Sequence, residues 1–373
     1  MTRKLNCRLL FLGVLLAVIA IVQIEREHRP SFLRPGLHLN AYVANAGDGT
    51  ISVIDLARLS TIATISAGPS PSGLRALASH KEIWGASIGG GYVWVLDATA
   101  GRIANRIPVG AEPLAVEFSP DTKRAYVAAS GSSTLVAIDT ATKQIVARAR
   151  TGPQPWLARV TPDGKRVLVA GRDSSTLELF DAQTLAEVGA INVARHPEQI
   201  EILPDSSVAF VSAADEKEIS AVDLRRGVLV ANLQLGSAPS RMILKPDGGE
   251  LYVTQPDSHS LAIINTWTHE IVDSMVVGSA PGEGVYSAAA DELYLSDSAA
   301  GRLVPIAMGT RHLGSTIPVG RQPTSCRLDP SGELLLVANQ DSNDVAVIHV
   351  RTGSLVTMVP VGSRPSDMVV MLF

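Results

Sequence analysis

The chain has 373 residues, a formal net charge of −4 and 46% hydrophobic residues, of which few are aromatic. That length and apolar content suffice for a large packed core and exclude a disordered chain. With Cys7 and Cys326 as its only cysteines, a disulfide-stapled scaffold is excluded as well.

In chain order, the first 36 residues stand apart. Arg3, Lys4 and Arg8 precede an apolar run from Leu9 to Val22, and Glu25-Arg26-Glu27 follow it. The 16 residues between Arg8 and Glu25 would span about 24 Å as a helix, short of the ~30 Å hydrocarbon core. A signal peptide and a short uncleaved signal-anchor both fit residues 1–24, with Val18-Ile19-Ala20 as the cleavage context. Either way the basic end stays cytoplasmic and the remainder is expected to be extracytoplasmic, in the periplasm or at the cell surface, inner-membrane anchored or secreted. Membrane contact runs through residues 9–24 if they are uncleaved. Residues 25–37 read as a linker containing Pro30 and Pro35.

From residue 38 the chain repeats itself every 42 residues without insertion or deletion. Prolines recur at Pro71, Pro113, Pro155, Pro197, Pro239, Pro281, Pro323 and Pro365. A second column reads Asp55, Asp97, Asp139, Asp181, Asp223, Asn265, Ala307 and His349. Eight such units fill residues 38–373, and a fixed period in the 40s marks a propeller, solenoid or array.

The unit from Pro113 to Gln154 shows the internal pattern. Leu114, Val116 and Phe118 alternate with Ala115 and Glu117, as in a half-buried strand. After the turn Ser119-Pro120-Asp121 comes a second strand over Ala125–Ala128, then a turn at Gly131-Ser132-Ser133. A third strand over Leu135–Ile138 stops at Asp139, whose carboxylate suits an Asx-turn, and Gln144–Ala149 forms a fourth. Four short strands with tight turns make one antiparallel sheet, and Pro and Gly fall too often for a helical repeat. Such a sheet covers both apolar faces only by stacking on copies of itself, and a ring leaves no end uncovered.

The fold class is therefore all-β: an eight-bladed β-propeller over 38–373 after an N-terminal hydrophobic helix. The chain enters on a second-strand sequence, His38-Leu39 and the following AYVA, and ends on a first-strand sequence, SDMVVMLF. The last strand should complete the first blade, three strands from the front and one from the back, and so hide an open edge. The column Tyr42, Trp84, Tyr126, Leu168, Phe210, Tyr252, Tyr294 and Leu336 is expected to be core between blades.

The second strands read YVAN at 42–45, YVAA at 126–129, YVTQ at 252–255 and LVAN at 336–339, and the fourth strands end in IPVG or similar before Pro. This resembles the YVTN-type β-propeller repeat family over essentially all of 38–373. Better-known members of that family have seven blades, and eight units here depart from them. Related propellers include lactonases and the haem d1-binding propeller of nitrite reductases, a likeness of architecture alone.

In a propeller the first strands line the central channel, so functional residues are sought in columns. Four residues after each repeat proline stand Arg75, Glu117, Arg159, Glu201, Ile243, Val285, Arg327 and Val369. The alternating signs fit either an ion-pair belt or a charged site for a small polar ligand. The column at two residues after the proline carries Gln199, Arg241, Glu283 and Asp367 among small residues. Trp156 fits an aromatic platform at the channel mouth or packing on Pro155. On the rim formed by second-to-third turns and inter-blade links, Arg172, Arg195, His196, Asp257 and His259 stand out, with the acidic stretch Gln340–Asp344. His196, His259 and Asp257 carry ligand chemistry for a metal but lack an HxH or HxxE spacing. No nucleophile elbow, P-loop, dinucleotide fingerprint, haem-attachment or zinc motif occurs, and no catalytic residue, metal site or cofactor is assigned.

The first 36 residues carry six Lys/Arg and two Asp/Glu, which leaves the repeat region near −8. An acidic ring without basic clusters is a poor nucleic-acid partner. The expectation is an exported, membrane-tethered binding or scaffolding module in the cell envelope. It would be monomeric, with an envelope protein, a polymer or a small polar ligand as partner. A lactonase-like enzyme or a haem d1-type cofactor carrier is the alternative.

Overall fold

The computed structural model describes residues 38–373; the leader and linker readings lie outside the described residues. Within them no helix is long and apolar enough to cross a membrane. Eight antiparallel sheets follow one another around a ring, most of them four-stranded. Blades are numbered here in chain order. Blade four is representative, with Pro155–Val160 innermost, then Arg166–Gly171, Thr176–Asp181 and Glu187–Asn192 outermost.

Blade one is closed from both ends of the chain. Leu39–Asn45, Thr50–Asp55 and Ser60–Ser66 come from the front, and Pro365–Leu372 is the innermost strand. Tyr42 lies opposite Val369 and Leu39 opposite Leu372 in antiparallel register. His38 N–H donates to the Phe373 carbonyl at 2.9 Å and Phe373 N–H returns the bond at 3.0 Å. The expected three-plus-one closure is the one observed.

The core is divided by interfaces. Eight hydrophobic clusters each join two neighbouring blades, and the second-strand aromatic column supplies one residue to each. Tyr42 packs with Leu74 and Ile83 of blade two, and Leu336 of blade eight packs with Val43 and Ile54 of blade one. All eight members of the column are essentially inaccessible. Apolar burial at this scale, about 25 cal/mol per Å², is the main favourable term holding blade to blade.

Turn chemistry fixes each blade locally. Asp55, Asp97, Asp139, Asp181, Asp223 and Asn265 accept the N–H groups two and three residues ahead at 2.7–3.1 Å. This closes the turn between the third and fourth strands, the Asx geometry expected of a short acid or amide.

Two expectations need correction. First-strand burial does not alternate with period two: Pro113 and Val116 are buried while Leu114, Ala115, Glu117 and Phe118 are half-buried. The cause is a β-bulge after the repeat proline, seen as a register shift in several blades, which turns two successive side chains toward the channel. In blade three the strand proper shrinks to Glu117–Phe118 with a single bridge from Pro113 to Ala129. The second correction is blade seven, whose fourth strand is broken into His312–Leu313 and Ile317–Pro318. Pro305 on the neighbouring strand is responsible. Its carbonyl accepts from Gly314 N–H at 2.8 Å, so its nitrogen faces the same side and offers no donor there.

Met368 on the closing strand is fully buried against blade eight residues such as Leu336 and Val347. Met368→Ala should lower the stability of the whole ring by about 2–5 kcal/mol, read as one shifted urea transition. A separate early transition confined to blade one would refute cooperative closure.

Candidate functional site

The bulged first strands bring two sequence columns into one channel. Arg75 Nη2 lies 3.4 Å from Glu117 Oε2, and Arg159 Nη1 lies 3.2 Å from the same oxygen. Arg159 Nη2 reaches Glu201 Oε1 at 3.9 Å. On the other half of the ring, Arg241 Nε pairs with Glu283 Oε2 at 2.8 Å. Arg327 then bridges Glu283 Oε1 at 3.3 Å and Asp367 Oδ1 at 3.1 Å. Taken around the ring from blade two to blade one, the belt reads Arg75, Glu117, Arg159, Glu201, Arg241, Glu283, Arg327, Asp367. Each blade supplies one charge and the signs alternate throughout, so the belt carries no net charge.

The two junctions without a direct ion pair are stitched otherwise. Between blades five and six, Gln199 Nε2 donates to the Ser240 carbonyl at 2.6 Å and Gln199 Oε1 accepts from Met242 N–H at 3.1 Å. Between blades one and two, Asp367 Oδ2 accepts from Leu74 N–H at 2.9 Å. Hydroxyls reinforce the seam: Ser72 Oγ donates to the Leu114 carbonyl at 2.6 Å, Thr324 Oγ1 to the Pro365 carbonyl at 3.2 Å and Ser366 Oγ to the Pro71 carbonyl at 3.3 Å.

The recessed setting perturbs the charges. Burial raises the Glu201 carboxyl above the usual carboxylate range; Arg159 opposes the shift, while Glu117 and Glu283 add to it. Burial alone would lower Arg159, but Glu117 and Glu201 outweigh it and hold the guanidinium above its ordinary value. Arg327 behaves the same way, with Asp367 and Glu283 outweighing burial. Cys326 is fully buried beside this belt, and burial pushes its thiol far up, so it is held protonated.

At the rim the candidate residues separate. The guanidinium of Arg172 lies over the Trp156 ring, 3.6 Å from its centroid, and pairs with Glu198 of the next blade. One face of the Trp156 ring is thus covered by Arg172. Arg195 Nε pairs with Glu216 Oε1 at 2.7 Å, and His196 Nε2 lies 3.5 Å from Asp215 Oδ2. His259 Nδ1 is bonded to the Ser279 carbonyl, in a different blade from His196. Both histidines occupy left-handed turn positions, with φ of 56° and 58°. Asp257 sits in the short 3₁₀ turn Pro256–Ser258 just before His259. Among the described residues no group of three His, Cys, Asp or Glu is placed to hold a metal ion.

Of the sequence candidates, Arg75, Glu117, Arg159, Glu201 and Arg327 meet in the belt, and Trp156 and Arg172 meet at the mouth. Arg195, His196, Asp257 and His259 form no common site. The belt members missed as such are Arg241, Glu283 and Asp367, which occupy the neighbouring column. Reading that column together with the first would have shown one charge of alternating sign per blade.

A family model described as YNCE-like beta-propeller matches residues 124–370. The chain belongs to the YNCE-like β-propeller family. Among curated proteins none matches it significantly. Solved structures similar to this YNCE-like propeller include the dihydro-haem d1 dehydrogenase NirN in complex with DHE, with a TM-score of 0.78 at 16% identity over 92% of this chain and 77% of that one. Hydrazine synthase of Kuenenia stuttgartiensis gives a TM-score of 0.59 at 20% identity over 75% and 95% of the two chains. A functionally unknown protein from Desulfotomaculum acetoxidans DSM 771 gives 0.61 at 12% identity over 89% and 98%. At these identities the likeness is one of fold.

The raised Glu201 carboxyl has a defined stability signature. A carboxyl whose folded pKa exceeds its unfolded value of about 4.3 binds more protons when folded, so its contribution is lost as pH rises through the folded value. Glu201→Gln should therefore gain stability relative to the unaltered protein as pH rises above about 4.3 and then level off. Urea titrations from acid to neutral pH would show it, and a pH-independent difference would refute the assignment.

Proposed function

We propose that this YNCE-like propeller is an exported, membrane-tethered binding or scaffolding module of the cell envelope, which meets its partner on the rim built from second-to-third turns and inter-blade links. The observation that carries this reading is the self-neutralised channel. Charged groups that would serve a reaction or a small charged ligand there are committed to one another, blade to blade. The rim offers side chains that vary from blade to blade, including Arg195, His196 and His259. Leu9–Val22, flanked by Arg8 and Glu25, supports export and tethering. Exposed apolar side chains on the outermost strands of blades five and six support a macromolecular partner; they include Leu229, Val272 and Val276, the last 70% exposed at the strand end that meets this rim. The 42-residue unit itself is assigned to the YVTN-type repeat on its second-strand motifs.

The rival reading is a lactonase-like enzyme or a carrier of a haem d1-type group, suggested by the likeness to NirN. The residues present do not fit a tetrapyrrole held in the channel through an imidazole. The channel columns contain no histidine, and the rim histidines His196 and His259 face Asp215 and the Ser279 carbonyl. No step through such a group is derived.

The combined variant Arg172→Ala, His196→Ala and His259→Ala should keep the melting temperature within a few degrees, since exposed ion pairs contribute about 0–1 kcal/mol each. It should lose the partner captured by the unaltered protein when crosslinked in the envelope. Undiminished crosslinking would refute the rim as the contact surface, and a C-terminal reporter that remains in the cytoplasm would refute export.

A further inference from the structure

The repeats can be compared at one interface position where the chain departs from its own pattern. In three blades the second strand begins with a glutamate two residues before the core aromatic: Glu82 with Trp84, Glu250 with Tyr252, and Glu292 with Tyr294. Each aromatic donates to its glutamate, Trp84 Nε1 to Glu82 Oε2 at 2.9 Å, Tyr252 Oη to Glu250 Oε2 at 2.8 Å and Tyr294 Oη to Glu292 Oε2 at 2.5 Å. In the first two cases a cation from the next blade completes the arrangement. Lys143 Nζ lies 2.6 Å from Glu82 Oε2 and 5.0 Å from the Trp84 ring centroid. Arg311 Nη1 lies 3.3 Å from Glu250 Oε2.

The cation stands 61 residues after the glutamate in both. The same step from Glu292 lands on Gly353. All three positions share one backbone conformation, with φ of 61° at Lys143, 56° at Arg311 and 59° at Gly353. A cation is therefore missing at an otherwise equivalent site, and Glu292 forms no ion pair within the described residues.

The place left by that side chain is a cleft. Glu292, Tyr294, Pro305, Gly314, His349 and Gly353 line a cavity of about 880 Å³ between blades seven and eight. It opens beside the break that Pro305 imposes on the outer strand of blade seven. His349 stands where most blades have the turn-capping Asp, and its Nδ1 is buried without a hydrogen-bond partner. Arg351, also on the wall, is exposed and makes no ion pair. A carboxylate without a counter-ion, held by the Tyr294 hydroxyl, and an unused imidazole nitrogen are the chemistry that receives an organic cation.

We propose that the cleft between blades seven and eight binds an alkylguanidinium or alkylammonium group, whose charge takes the place that Lys143 and Arg311 fill in the sister interfaces. The group belongs either to a small amine or to a basic side chain of a partner peptide. The cation bonds to Glu292, and a guanidinium has a further N–H for His349.

The test uses the full chain in calorimetric titrations with n-butylguanidine, n-butylamine, n-butanol and an end-blocked arginine. At least one of the three cations should bind saturably, and butanol should not. Preference for the free amines indicates a small ligand, and preference for the blocked arginine indicates a peptide. Glu292→Gln keeps the tyrosine bond but removes the charge, and should weaken binding about tenfold or more. Gly353→Arg restores the internal cation and should abolish binding. A Cβ there meets nothing closer than Ile317 Cδ1 at 3.9 Å, and the sister positions already hold Lys and Arg in the same conformation. Absence of binding by all three cations, or binding unchanged in Glu292→Gln, would overturn the proposal.

Discussion

The pairing of Leu39–Asn45 with Pro365–Leu372 is the contact on which the structure depends. Strands more than 300 residues apart in sequence must find each other before the first blade is complete. Until they do, blade one lacks its inner strand and the ring has an open seam between blades eight and one. Loop-closure entropy grows only slowly with length, so the cost of joining such distant ends is moderate. The return is burial of Met368 and its cluster and removal of an exposed strand edge. The absence of any insertion within the strands across eight units fits the same constraint. A ring admits one angular step per blade, and an extra residue within a strand would flip its side chains to the other face.

The channel shows how a ring built from divergent repeats keeps an internal order that no single repeat displays. A charge facing a narrow channel is costly unless a partner lies beside it. Eight blades permit strict alternation, since an even number lets the last charge meet the first without a like-signed clash. The belt moves from the column four residues after the proline to the column two residues after it, at blades six, seven and one. Residues two apart on a strand share one face, so both positions look into the channel. Where an ion pair is missing, Gln199 or Asp367 bonds directly to the neighbouring backbone, so each pair of adjacent blades is linked by a side chain at the belt.

Departures from the repeat are concentrated in blades seven and eight. Pro305 interrupts an outer strand, Ala307 and His349 stand in the turn-capping column, and Gly353 stands where Lys143 and Arg311 stand in the two sister interfaces. These substitutions lie along one interface and act together: the strand break opens the wall, and the loss of a cation leaves Glu292 without its counter-ion.

Fold and blade number were legible in the sequence because they rest on periodicity. Prolines every 42 residues, the Asp/Asn column before each turn and the aromatic column of the second strands depend on local geometry that recurs unchanged. Closure was legible for the same reason, since both ends of the chain carry recognisable parts of one unit. The belt was only half legible. Arg75, Glu117, Arg159 and Glu201 share one column, whereas Arg241, Glu283 and Asp367 joined them only once the ring showed which side chains meet across each seam. Trp156 beneath Arg172, and Glu198 as the partner of Arg172, likewise required knowing which turns converge at the rim. The cleft at Glu292 required knowing that residues 61 apart face each other across blades. Period and strand pattern are properties of the chain taken one unit at a time, and sequence suffices for them. Which side chains meet across a seam depends on bulge, twist and the angle between blades, and only the assembled ring decides it.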